Sequence, residues 1–184
     1  MSHHKKIKSK LGDVDYILTS GIIGELFIIA RGYRLGEKEF DLKKFGYLKL
    51  VGLLKKLSKN NKIKIPFDLA FDKGGKRIEL RLKWLPSRYK SYDVGHLTIL
   101  NYVKYIKNAN TIYFKGPPGL YEKNGFDIGT KMILKAIASN SKAYKVISGG
   151  NSLDALSRYV KRAKIDYISL SGGALVKYLC GERL

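Results

Sequence analysis

The chain is 184 residues long and carries 36 Lys plus Arg against 15 Asp plus Glu, a net charge of +21. That length holds one domain or two small ones with a real core, and an apolar share of 45% argues against a disordered chain. One cysteine, Cys180, excludes a disulfide scaffold and fits a reducing, cytoplasmic setting, while no apolar run reaches the ~20 residues of a membrane span.

The elements alternate along the chain. Residues 1–14 are a basic stub, Lys5-Lys-Ile-Lys-Ser-Lys10 at its centre, without the apolar core of a secretory signal. Asp15 to Thr19 reads as a buried strand, and Ile22 to Arg31 as a helix closed by Gly32. Leu42 to Ser58 is predicted as one amphipathic helix, because Leu42, Phe45, Leu48, Leu50/Val51, Leu54 and Leu57 recur at helical steps. Lys62 to Pro66 reads as a strand. Asp68 to Phe71 and Arg77 to Leu82 flank Asp72-Lys-Gly-Gly-Lys76, a hairpin signal. Leu97 to Ile106 is a helix expected to turn Leu97, Leu100, Val103 or Tyr105, and Ile106 inward. Then follow strand Thr111–Phe114, helix Phe126–Ser139, strand Ala143–Ile147, helix Leu153–Arg162, strand Asp166–Ser169 and a last helix from about Ala174 to Leu179.

This alternation predicts an α/β fold, a Rossmann-like three-layer sandwich with a mainly parallel sheet. Glycine turns follow four of the strands: Ser20-Gly21, Gly116 to Gly119, Gly149-Gly150 and Gly172-Gly173. They are expected at one sheet edge, where such folds bind ligands. Glycine lets the backbone approach a ligand, and the helix beyond offers free N–H groups to phosphate. The polyanion that the charge invites is therefore first a nucleotide. Nucleic acid is the alternative partner, although no recognition helix, zinc finger or RNA-binding signature is present. Part of the lysine excess has a partner-free reading: the chain lacks glutamine, has two methionines and is rich in Lys and Tyr, a hyperthermophile pattern. The Walker loop and the dinucleotide-binding glycine fingerprint are both absent. His3, His4 and His96 lack metal-ligand spacing, and Cys180 is expected to be packed.

A set of collinear motifs then narrows the reading. Thr111-Ile-Tyr-Phe-Lys-Gly-Pro-Pro-Gly-Leu-Tyr-Glu122 is similar to the T-[IV]-V-W-N-G-P-x-G-x-F-E stretch of phosphoglycerate kinases. Ala30-Arg-Gly-Tyr33, Pro66-Phe-Asp68, Asp93-Val-Gly95-His-Leu-Thr98, Phe126-Asp-Ile-Gly129-Thr130, Ser148-Gly-Gly-Asn-Ser152, Ile168-Ser-Leu-Ser-Gly-Gly-Ala174 and Leu179-Cys-Gly181 match further family motifs in order. Residues 15–184 thus resemble the C-terminal, nucleotide-binding domain of that family, in wording nearest its archaeal members. The resemblance implies glycolytic phosphoryl transfer between 1,3-bisphosphoglycerate and ADP, giving 3-phosphoglycerate and ATP. The family is twice this long, so the chain is expected to lack the substrate-binding N-terminal half and the domain's first strand. It is then expected to be inactive alone, and to need a separate partner chain or self-association. The other reading is a non-catalytic paralogue reused as a basic binding module, for nucleic acid among other polyanions.

Carried over by position, the resemblance implies that Glu122 accepts the ribose hydroxyls of ADP or ATP, and that Gly21 and Leu120 wall the adenine. Gly116 and Gly119 form the glycine turn of the same motif. Gly149, Gly150 and Ser152 would meet the phosphates. Gly172 and Gly173 would place a helix N-terminus against the moving phosphoryl group, as the catalytic contribution. Three departures stand out. Asn151 replaces the aspartate that holds Mg–nucleotide, so metal affinity should fall and Mg²⁺ would come with the nucleotide only. Lys115 replaces an asparagine near the phosphates and adds a cation. Ser171, with Leu170, replaces residues of the last glycine triad, and Ser20 and Ile22 dilute the adenine-side glycines.

Overall fold

A computed structural model describes residue 12 and residues 14–170. Gly172, Gly173, Cys180, the two N-terminal histidines, most of the basic stub and the last predicted helix lie outside the described residues. The fold is α/β, and the chain divides into two compact units, residues 1–98 and 99–184.

In the first unit, strand β1 (Ile17–Leu18) runs parallel to β2 (Ile63–Lys64) and leads into helix α1 (Gly21–Ala30). Helix α1 is apolar on nearly every side, and Leu26, Phe27 and Ile28 are wholly buried. It ends where Gly32 turns to positive φ, +95°. Helix α2 (Glu37–Lys44) follows. Glu39 closes its start by accepting the Leu35 N–H at 2.6 Å, reaching back over orphan donors as a capping acid does.

The long helix expected over Leu42 to Ser58 is not one helix. Helix α2 stops at Lys44, and Gly46 at φ +74° turns the chain. A 3₁₀ turn (Tyr47–Leu50) then leads into helix α3 (Val51–Leu57). Leu42 and Leu54 keep their core places, but Phe45 is 67% exposed. The apolar period runs on across the break because both segments bury one face against the same core.

The predicted hairpin is present. Strand β3 (Asp68–Lys73) pairs antiparallel with β4 (Lys76–Arg81) around Gly74 and Gly75, both at positive φ. Strand β5 (Ser91–Val94), which no alternation announced, pairs antiparallel with β3 on its other side. Its sequence, Ser-Tyr-Asp-Val, is half polar. Ser91 and Asp93 are nonetheless buried, because Ser91 donates to Glu25 and Asp93 accepts from Arg77 Nη1 at 2.9 Å.

Helix α4 (His96–Asn108) starts against β3. The buried Asp68 carboxylate accepts the N–H groups of Leu97 and Thr98, at 3.0 and 2.9 Å, and the Thr98 hydroxyl at 2.6 Å. Gly95 is required there, since a β-carbon would run into that carboxylate. The inward face of α4 keeps the expected Ile106 but is otherwise shifted by one to two residues. Ile99, Tyr102 and Ile106 are buried, whereas Leu97 and Leu100 are 41% and 55% exposed.

The second unit is the regular βα part. Strands β6 (Thr111–Lys115), β7 (Tyr144–Ser148) and β8 (Tyr167–Ser169) form a parallel sheet in that order. Helix α5 (Ile128–Ser139) joins β6 to β7, and helix α6 (Gly150–Tyr159) joins β7 to β8. Ile133, Leu134, Ile137, Ile147, Ala155 and Leu156 are buried. The turn before β7 is fixed by the buried Asn140. Its amide donates to the carbonyls of Ile106 and Ala109, and its oxygen accepts from Lys142 and Ala143. Among the described residues, the strand before Gly21 pairs with β2 and not with the β6–β8 sheet. The glycine turns therefore do not all sit on one hydrogen-bonded sheet.

Candidate functional site

The predicted residues that the structure brings together lie at the carboxyl ends of β6 and β7. Parallel register sets Lys115 opposite Ser148, and Ser148 opposite Ser169. Each of the first two strands then turns through a glycine at positive φ, Gly116 at +84° and Gly149 at +94°. Glycine adopts that backbone region without penalty, which is why these turns can be so tight.

Helix α6 begins directly after Gly149, three residues earlier than the apolar pattern suggested. Gly150, Asn151 and Ser152 thus form its first turn, where N–H groups have no partner within the helix. Asn151 is exposed, and Ser152 is buried. The Ser152 hydroxyl accepts the Gly116 N–H at 2.8 Å and so stitches the end of β6 to the start of α6. A β-carbon on Gly116 or Gly150 would meet nothing within 4 Å, so the backbone here faces open space. Beneath it the Ser148 hydroxyl is fully buried and, among the described residues, has no hydrogen-bond partner.

The loop from Gly116 to Glu122 is held at two further points. The Gly119 N–H donates to Thr130 Oγ1 on α5 at 3.3 Å, and the Tyr121 hydroxyl donates to Asp154 Oδ2 on α6 at 2.8 Å. Arg158 pairs with the same carboxylate at 3.0 Å and lies over the Tyr121 ring. Burial, together with the acceptors Asp154 and Glu122, holds the Tyr121 phenol well above its ordinary pKa. It therefore stays a neutral donor. On this fixed loop, Leu120 is 43% exposed and Glu122 is exposed, an apolar surface beside a carboxylate. Lys115, also exposed, is the nearest predicted cation to the helix start along the register.

Gly21 lies in the first unit, where it opens α1 at φ +53°. Tyr121, Asp154 and Ser148 were not among the expected residues. The Asp154/Arg158 spacing of four was a readable signal for the first pair. Ser148 carries no such sign in the sequence. His96 sits at 2.7 Å from Glu79 Oε1 by its Nδ1. The motif residues Asp68, Asp93, Gly95 and Thr98 are occupied with holding β3, β5 and α4 together.

Comparison with known proteins agrees with the motifs. The family model for phosphoglycerate kinase matches residues 2–182. A phosphoglycerate kinase of Methanothermus fervidus is 40% identical over 178 residues, which cover 95% of this chain and 43% of that protein. One of Methanobacterium bryantii is 38% identical over 94% of this chain and 42% of its own length. The crystal structure of phosphoglycerate kinase from Pyrococcus horikoshii OT3 superposes with a TM-score of 0.88 at 31% identity, covering 98% of this chain and 46% of that one. The chain thus spans under half the length of the relatives it matches. With a family match over almost all of its residues and a shared fold, this chain belongs to the phosphoglycerate kinase family.

Proposed function

We propose that the carboxyl edge of β6 and β7 binds ADP or ATP, and that the chain is the nucleotide platform of a phosphoglycerate kinase reaction. The observation that carries this reading is the bond from Gly116 N–H to Ser152 Oγ, which fixes an open glycine turn against the first turn of α6. In this reading the N–H groups of Gly150 and Asn151 meet phosphate oxygens, as helix starts do, whereas the Gly149 N–H expected to join them donates instead to the Ser169 carbonyl at 3.0 Å. Leu120 offers its apolar face to the base, and Glu122 accepts from the ribose hydroxyls, a role suited to a carboxylate. The Tyr121–Asp154 bond keeps both on their loop. Gly172 and Gly173 retain the role that the resemblance gives them.

Phosphoryl transfer requires both substrates held in line. The phosphoglycerate would be bound by the part of the relatives' length that this chain does not span. The chain alone is then a nucleotide binder without turnover. Calorimetric titration with ADP checks the platform. A saturable heat at submillimolar ligand is expected, with Glu122→Ala weakening it about tenfold through the lost charge-assisted bonds. No heat at millimolar ADP would reject the reading.

A second reading has its own observation. Trp84, the one tryptophan of the chain, is 64% exposed with Lys83 Nζ 5.0 Å from its ring centre. Phe67, also exposed at 53%, accepts at its carbonyl, at 3.2 Å, the N–H of Leu82, two residues before Trp84 in sequence. Exposed rings beside cations are what single-stranded nucleic acid stacks on.

A further inference from the structure

We infer that this site takes its nucleotide without a divalent cation, with Lys115 supplying the positive charge that a metal would bring. The inference rests on the nucleotide reading above and specifies the ionic form bound. The family implies a magnesium nucleotide, but the donor set at this edge does not fit one. A hard cation such as Mg²⁺ is held by anionic oxygens with near-octahedral geometry. The first turn of α6 offers Asn151, a neutral amide, between glycines and Ser152. The Ser152 hydroxyl already accepts the Gly116 N–H. Of the two carboxylates on the loop and helix, Asp154 accepts the Tyr121 hydroxyl and pairs with Arg158 at 3.0 Å, and Glu122 is the one given to the ribose. Among the described residues, no group of three His, Cys, Asp or Glu side chains is placed to hold a metal ion.

The cation at this edge belongs to the chain. Lys115 is the last residue of β6 and stands in register with Ser148, the residue just before Gly149-Gly150. Neighbouring strands are about 4.8 Å apart, a distance that the flexible stem of a lysine spans. The Gly116 bond to Ser152 holds the two chain segments at that separation. An ammonium and a helix start both favour the more anionic of two ligands. Free ADP is more anionic than its magnesium complex, so Mg²⁺ competes with Lys115 for the same oxygens.

The test is calorimetric titration of the full chain with ADP, once in EDTA and once in excess Mg²⁺. The wild type, Lys115→Asn and Asn151→Asp are compared, with circular dichroism to confirm folding. The wild type is expected to bind as tightly or more tightly in EDTA. Lys115→Asn should raise Kd in EDTA about tenfold, the cost of one charge-assisted contact. Asn151→Asp should reverse the order, so that Mg²⁺ tightens binding. Wild-type affinity that rises about fivefold or more on adding Mg²⁺ overturns the inference and leaves the nucleotide reading intact. Absence of heat under both conditions overturns both. The wild-type comparison decides the metal requirement even if a variant fails to fold, and an unchanged Kd for folded Lys115→Asn in EDTA overturns the role given to Lys115.

Discussion

Glu25 shows how one buried side chain makes stability depend on pH. It lies in α1 with 6% exposure, and its Oε1 accepts the Ser91 hydroxyl of β5 at 2.6 Å. Lys38 of α2 approaches to 3.8 Å, while Asp41 of the same helix opposes it. Among the described residues, Oε2 is buried without a partner. Burial is the dominant influence and pushes the carboxyl from 4.5 up to about 7. The neutral form is therefore the one the fold prefers. The stability it contributes is complete below the unfolded value of 4.5 and is lost as pH rises through about 7. The size of that loss is on the order of 3 kcal/mol. Denaturant unfolding between about pH 5 and about pH 8 should show wild-type stability falling with pH, and Glu25→Gln should flatten the profile. Equal slopes for the two proteins would show that this carboxyl does not titrate in that range.

At the scale of elements, two glycines at positive φ separate the cost of conformation from the cost of contact. Gly46, at +74°, ends the α2 segment, and a β-carbon there would meet nothing within 4 Å. Gly36, at +78°, precedes α2, and its β-carbon would collide with the backbone carbonyl of Ser87. Gly46→Ala should cost about 1 kcal/mol, the penalty of the left-handed region alone. Gly36→Ala should cost clearly more, because a backbone carbonyl cannot swing aside as a flexible side chain can. Denaturant midpoints of the two variants measure the difference, and equal midpoints would contradict it. Gly46 also explains why the apolar period over Leu42 to Ser58 spans two helices and not one. Amphipathic period records which face is buried, and it persisted through Gly46 because both flanking segments pack on one core. Strand β5 was missed for the opposite reason. Its buried residues are Ser91 and Asp93, whose partners Glu25 and Arg77 are remote in sequence, so no local pattern marks it.

At the scale of the whole molecule the excess of cations, +21, dominates. Such a charge favours association with any polyanion and makes it depend on salt. The reading of Trp84 and Phe67 as a stacking surface therefore makes a compound prediction. A single-stranded oligonucleotide should quench the fluorescence of the sole tryptophan, and binding should weaken steeply as salt rises. Trp84→Ala should reduce affinity by the ~1–3 kcal/mol of one stacked base. Quenching without salt dependence, or salt dependence untouched by Trp84→Ala, would detach the aromatic patch from the charge. The ADP experiment reads the glycine edge, in the second unit, and the oligonucleotide experiment reads Trp84, in the first.

By itself the sequence determined the α/β alternation, the hairpin at Gly74-Gly75, the strand–glycine–helix turns after β6 and β7, and the family. These are local: each follows from apolar period, from the conformational freedom of glycine, or from residues adjacent in a motif. Tertiary structure decided what locality cannot reach. It started α6 at Gly150, joined Gly116 to Ser152, clamped Tyr121 to Asp154 and buried Ser148 without a partner. It also joined the motif residues Asp68, Gly95 and Thr98 in a structural lock between β3 and α4. The reason is physical. A hydrogen bond between residues tens of positions apart forms only where packing sets their distance, and no periodicity in the chain encodes that distance.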